Sequence, residues 1–131
     1  MKVCVIGLRN FDFPENVFKD FLNYLQSEMA LRDELRIVLC KSREGQMTTG
    51  VRNPNEIRVL GGGRLLIDIF RTIAHEWVHE FQYQKLGLSD EHKVPDIGGP
   101  VENMASVLAS IFLKKFQNNF PEYDKELYQE N

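Results

Sequence analysis

Two cysteines, three histidines and no apolar run of membrane-spanning length characterise this 131-residue chain by what it withholds. Cys4 and Cys40 are too few and too far apart for a cysteine-based zinc site. Each falls in an apolar, strand-like run, so both are expected as free buried thiols rather than as a disulfide. The net charge of -3 leaves no electrostatic footprint for nucleic acid, and no basic cluster offsets it. Without an apolar stretch long enough to cross a bilayer, no membrane association is expected. The apolar run in MKVCVIGLRNF is too short for a signal-peptide core and no small-residue cleavage site follows, which predicts a cytoplasmic protein. Internal repeats, low-complexity tracts and linkers are also missing.

What is present is ordinary globular material. With 43% hydrophobic and 27% charged residues, the chain is expected to form one domain over 1–131 with a real hydrophobic core. Val3–Ile6 has the pattern of a buried strand. Asp12 as N-cap, with Glu15 three residues later, predicts a helix start, and Val17, Phe21, Leu25 and Met29 carry the helix over 14–30. Strands are predicted over 36–40, weakly over 46–51, and over Glu56–Leu60, with Asn53-Pro54-Asn55 as a turn. Phe11, Phe13, Phe18 and Phe21 are expected in the core. Gly61-Gly62-Gly63 ends the last strand, and helical periodicity follows over 64–85, stopped by Gly87. After a polar loop over 88–99, Pro100 opens a helix to 118, and Pro121 opens a short polar one.

The histidines are concentrated. Two of the three lie in His75-Glu76-Trp77-Val78-His79, an H-E-x-x-H sequence inside the helix over 64–85. Residues four apart lie about 40° apart around a helix, so both imidazoles can reach one metal ion. The glutamate between them is the residue type that activates a water for attack on a carbonyl. On a helical wheel Phe70, Ile73, Ala74, Trp77 and Phe81 cluster opposite the histidines, which predicts that His75 and His79 face a cleft. A hydrolytic zinc needs a third protein ligand. A histidine six residues beyond His79 is ruled out, because Lys85 stands there. Glu102 qualifies, 23 residues after His79 in the first turn of the next helix. Glu102, Ala105, Ser106 and Ala109 share a face, and three of them are small enough to let two helices approach. Met104, Val107, Leu108 and Ile111 are expected to build the core on the other side. His92 and Asp96 in the loop are rival ligands, and Glu102 could instead simply favour the helix dipole.

The stretch from Thr72 to Gln82 resembles the active-site helix of zincin metallopeptidases. With Glu102-Asn103-Met104-Ala105-Ser106 it resembles the gluzincin arrangement, H-E-x-x-H followed by E-x-x-A. Small intracellular or phage-type peptidases similar to the ImmA/IrrE proteins share this order of elements. The resemblance covers residues 56–116 and departs at Ser106, where such families often carry Asn or Asp. It implies an α+β, zincin-like fold: a small mixed sheet, an N-terminal helix, and two packed helices carrying the metal site. It also implies one zinc ion on His75, His79 and Glu102, with Glu76 as general base in peptide-bond hydrolysis. Tyr83 and His92 are candidates for stabilising the oxyanion. By analogy of fold, a peptide or protein substrate would add as an extended strand at a sheet edge, either Glu56–Leu60 or 46–51. The alternative is a zincin-fold binding or regulatory protein with little or no catalysis.

Overall fold

Apolar alternation in short segments builds a sheet whose two middle strands pair with each other. The computed structural model describes residues 3–43, 45, 47–86 and 100–130. The strands are β1 (Val3–Ile6), β2 (Leu35–Cys40), β3 (Gly50–Asn53) and β4 (Glu56–Leu60). The helices are α1 (Glu15–Glu28), α2 (Leu66–Leu86), α3 (Pro100–Asn119) and α4 (Asp124–Leu127). Single 3-10 turns at Leu8–Asn10 and Pro121–Tyr123 complete the set. The sheet order is β1-β2-β4-β3; β1, β2 and β4 are parallel, and β3 runs antiparallel to β4. The architecture is therefore mixed α+β, with a four-stranded mixed sheet and four helices among the described residues. None of these helices is long and apolar enough to cross a membrane.

Register pairs Ile37 with Ile57 and Leu39 with Val59, which puts four buried aliphatic side chains on one face. That face shares a core with the apolar stripes of α1, α2 and α3. Phe21 stacks on Phe70 at 4.2 Å between centroids, and Phe18 meets Phe70 edge-on at 5.0 Å. The four phenylalanines at 11, 13, 18 and 21 are all buried, as expected. On the opposite face, Cys40, Met47 and Leu60 form a smaller cluster. Beside them, Glu56 pairs with Arg36 and Arg58 at the surface.

Several expectations are corrected. β1 is an edge strand with half-buried and exposed residues in alternation, so Cys4 is exposed while Cys40 is buried; both thiols are free. A four-residue apolar run carries no sign of whether its second face is covered, and here it is not. Asp12 is not the cap of α1: Pro14 takes that position in an extended conformation and offers no side-chain acceptor. The third strand lies at Gly50–Asn53 rather than 46–51, because pairing starts at the hairpin turn, with Asn53 opposite Glu56. Pro54 cannot take a positive φ, and Asn55 supplies it at 63°. Of the four α3 residues expected in the core, Met104 and Leu108 pack half-buried against it, whereas Val107 and Ile111 are 56% and 41% exposed; the buried residues are Ala105, Ala109, Phe112, Leu113 and Phe116. The small residues are thus part of the packed seam, and Ser106 points to solvent.

Candidate metal centre

α2 is held along its whole length, and this fixes where its histidines point. At its start, the Leu66 N–H donates to the Gln129 carbonyl at 3.0 Å, and Leu65 pairs with Glu130. The Arg64 guanidinium donates to the Leu60 and Asp68 carbonyls and to Thr72 Oγ1, at 2.8, 3.1 and 2.9 Å. Phe70, Ile73, Ala74 and Trp77 are buried in the core, and the Trp77 indole N–H donates to the Met29 carbonyl at 2.9 Å. Phe81, expected with them, is only half-buried. With that side committed, His75 and His79 turn towards α3, whose Ala105 and Ala109 allow close approach.

The three expected ligands converge. His75 Nε2 lies 2.5 Å from Glu102 Oε1, and His79 Nε2 lies 3.1 Å from Glu102 Oε2. The two imidazole centroids are 4.9 Å apart, and the three donor atoms all lie within 4.8 Å of one another. No other group of three His, Cys, Asp or Glu side chains among the described residues comes together in this way. His79 is almost sealed, with 5% of its side chain exposed, while His75 and Glu102 retain 22% and 38%. The site is therefore open on one side.

The donor set suits a divalent metal. Donors on a tetrahedral zinc are about 3.4 Å apart, from bonds of roughly 2.1 Å. The two contacts of Glu102, 2.5 and 3.1 Å, lie close to that spacing. A second argument concerns protons. Gln82 Oε1 meets His79 Nδ1 at 2.8 Å, and Gln82 Nε2 donates to the Val101 carbonyl at 3.1 Å. An amide oxygen only accepts, so Nδ1 carries a hydrogen. A neutral His79 then turns a lone pair towards the Glu102 carboxylate. Two acceptors at that distance require a proton or a cation between them.

Glu76 follows His75 on α2, half-buried, and its carboxylate makes no hydrogen bond or ion pair among the described residues. A Cβ on Gly50 of β3 would lie 3.4 Å from Glu76 Cγ and only 2.5 Å from Thr72 Cγ2. Only a glycine lets the edge strand come this close to the helix. Tyr83 is half-buried under the Arg52 guanidinium, whose carbon lies 4.7 Å from the ring centre. His92 and Asp96, together with Gly87 and the loop over 88–99, lie outside the described residues.

Sequence reasoning missed Gln82, and with it the buried group of Arg52, Glu80 and Gln84. Arg52 Nη1 donates to Glu80 Oε1 at 2.6 Å, and Gln84 Nε2 donates to Glu80 Oε2 at 2.7 Å. A signal existed. Polar residues at 79, 80, 82 and 84 spread over about 200° of the helix circumference, wider than one solvent face, so in a packed protein some of them had to be buried. Comparison of the chain with family models, with curated proteins and with solved structures found no match.

Proposed function

We propose that the protein is a small zinc-dependent metallopeptidase with a zincin-like site of gluzincin type. The observation that carries this reading is the convergence of His75, His79 and Glu102 at the helix that bears Glu76, a glutamate with no polar partner among the described residues. His75, His79 and Glu102 would hold one zinc ion. Bound zinc supplies Lewis acidity, which eases deprotonation of a water and polarises a carbonyl. Glu76 would accept a proton from the attacking water and pass it to the leaving amine, a task suited to a carboxylate with no competing donor among the described residues.

On this reading, a peptide substrate would add to an edge of the sheet. β4 is paired on both sides, so Glu56–Leu60 is excluded as the receiving edge. β3 is an edge strand among the described residues, like β1, and it is the one whose Gly50 end lies against Glu76. An extended peptide added beside β3 would bring its backbone to the base.

Metal content per chain, by elemental analysis, tests the reading on wild type and on His79→Ala purified identically. The expected result is about one zinc in wild type and almost none in the variant. No zinc in wild type after zinc is offered rejects the metal centre. Bound zinc without cleavage of unstructured peptides would favour a zincin-fold binding or regulatory protein instead.

A further inference from the structure

We infer that Gln82 is a positioning residue whose single amide sets the tautomer of His79 and the seat of the helix bearing Glu102. The inference rests on reading the cluster as a metal centre. The orientation of the amide is forced from one end. The Val101 carbonyl can only accept, so the group 3.1 Å from it is the NH2 of Gln82. The amide oxygen is thereby turned to His79 Nδ1, 2.8 Å away. Hydrogen is held on Nδ1, and Nε2 is left as the donor atom on the side of Glu102.

The geometry gives this one side chain two tasks. Gln82 is 2% exposed, so water cannot replace either bond cheaply. Its acceptor stops the His79 ring from flipping. Its donor grips the first turn of α3 at Val101, the residue before Glu102, and so couples ligands from two helices. His75 has no equivalent partner on its second nitrogen among the described residues and keeps more solvent contact. A side chain with a donor and an acceptor on one carbon is required. Leucine at this position supplies neither bond, and glutamate supplies the acceptor alone.

The test is the imidazole tautomer by long-range proton–nitrogen NMR at pH 9. It uses the full-length protein, metal-free and zinc-loaded, as wild type, Gln82→Leu and Gln82→Glu. Zinc affinity by chelator competition is measured on the same samples. His79 is expected with its hydrogen on Nδ1 in wild type. Gln82→Leu should shift metal-free His79 towards Nε2–H and weaken zinc about 10–100-fold, with an unchanged circular dichroism spectrum. Gln82→Glu should keep the Nδ1–H form and recover part of the affinity. An Nε2–H wild type, or a Gln82→Leu protein with wild-type tautomer and affinity, overturns the inference. If Gln82→Leu does not fold, the wild-type and Gln82→Glu spectra decide: Nδ1–H in both supports it, and Nε2–H in either overturns it. If wild type takes up no zinc, the metal reading fails by itself, while the metal-free spectra still judge the role of Gln82.

Discussion

Glu76 and Glu80 stand one turn apart on α2 and meet opposite surroundings. Glu80 is fully buried and takes hydrogen bonds from Arg52, Gln84 and the Asn55 backbone N–H at 2.6, 2.7 and 3.3 Å. Glu76 is half-buried and has none among the described residues. The difference comes from β3, which runs alongside. Two strand residues advance about 6.6 Å and four helix residues about 6 Å, so Gly50 and Arg52 keep step with Glu76 and Glu80. Where the strand offers arginine, the carboxylate is neutralised and becomes part of the frame. Where it offers glycine, the carboxylate keeps its lone pairs. A sealed carboxylate must have its counter-charge and donors beside it, whereas one open to solvent can wait for a proton from outside.

The sharpest way to break this contrast is Arg52→Ala, which strands a buried negative charge. It should cost about 3–5 kcal/mol of stability, read by urea unfolding. A loss below about 1 kcal/mol would mean that Glu80 does not depend on its partner. Glu76→Gln should do the reverse: stability within about 0.5 kcal/mol of wild type, zinc content unchanged, and peptide hydrolysis down by roughly 10²–10⁴-fold. An unaltered turnover rate would reject Glu76 as base. Gly50→Ala should cost about 1–3 kcal/mol, because the new methyl meets Thr72 Cγ2. Adding Thr72→Ser, which removes that methyl but keeps the hydroxyl for Arg64, should restore most of the loss. Failure to do so would show that the close approach of β3 is not set there.

The smallest effect concerns a buried acid without a counter-charge. Burial, helped by the nearby Glu28, pushes the Tyr24 phenol up to about 12. The unfolded phenol ionises near 10, so the folded state loses stability as pH rises from 10 through 12 and keeps it in full below 10. Tyr24→Phe should flatten part of that alkaline decline in thermal unfolding. An unchanged pH profile would show that the ring is not desolvated.

Periodicity made the long elements legible. The helix predicted over 64–85 spans Leu66–Leu86, and Val3–Ile6 and Glu56–Leu60 carry the strands expected of them. The spacing of His75, His79 and Glu102 also pointed to side chains that do meet. The misses share a cause: each depends on a neighbour distant in sequence. Cys4 is exposed because nothing covers that face of β1, and Val107 and Ile111 are exposed because α3 rolls its alanines inward. The partners of Glu80 come from β3 and the hairpin turn, which no local pattern on the helix announces. Gln82 finds its second partner on α3.

The anchoring of Leu65 and Leu66 by residues 129 and 130 has a consequence in time. A ribosome releases His75 and His79 well before it releases Gln129. The nascent chain can wind the helix and gather its core early, but the leading turn is secured only when the strand-like tail arrives. Contacts so distant in sequence close late and slowly. Completion of α2 therefore waits for residues 129 and 130, the last stitch rather than the first.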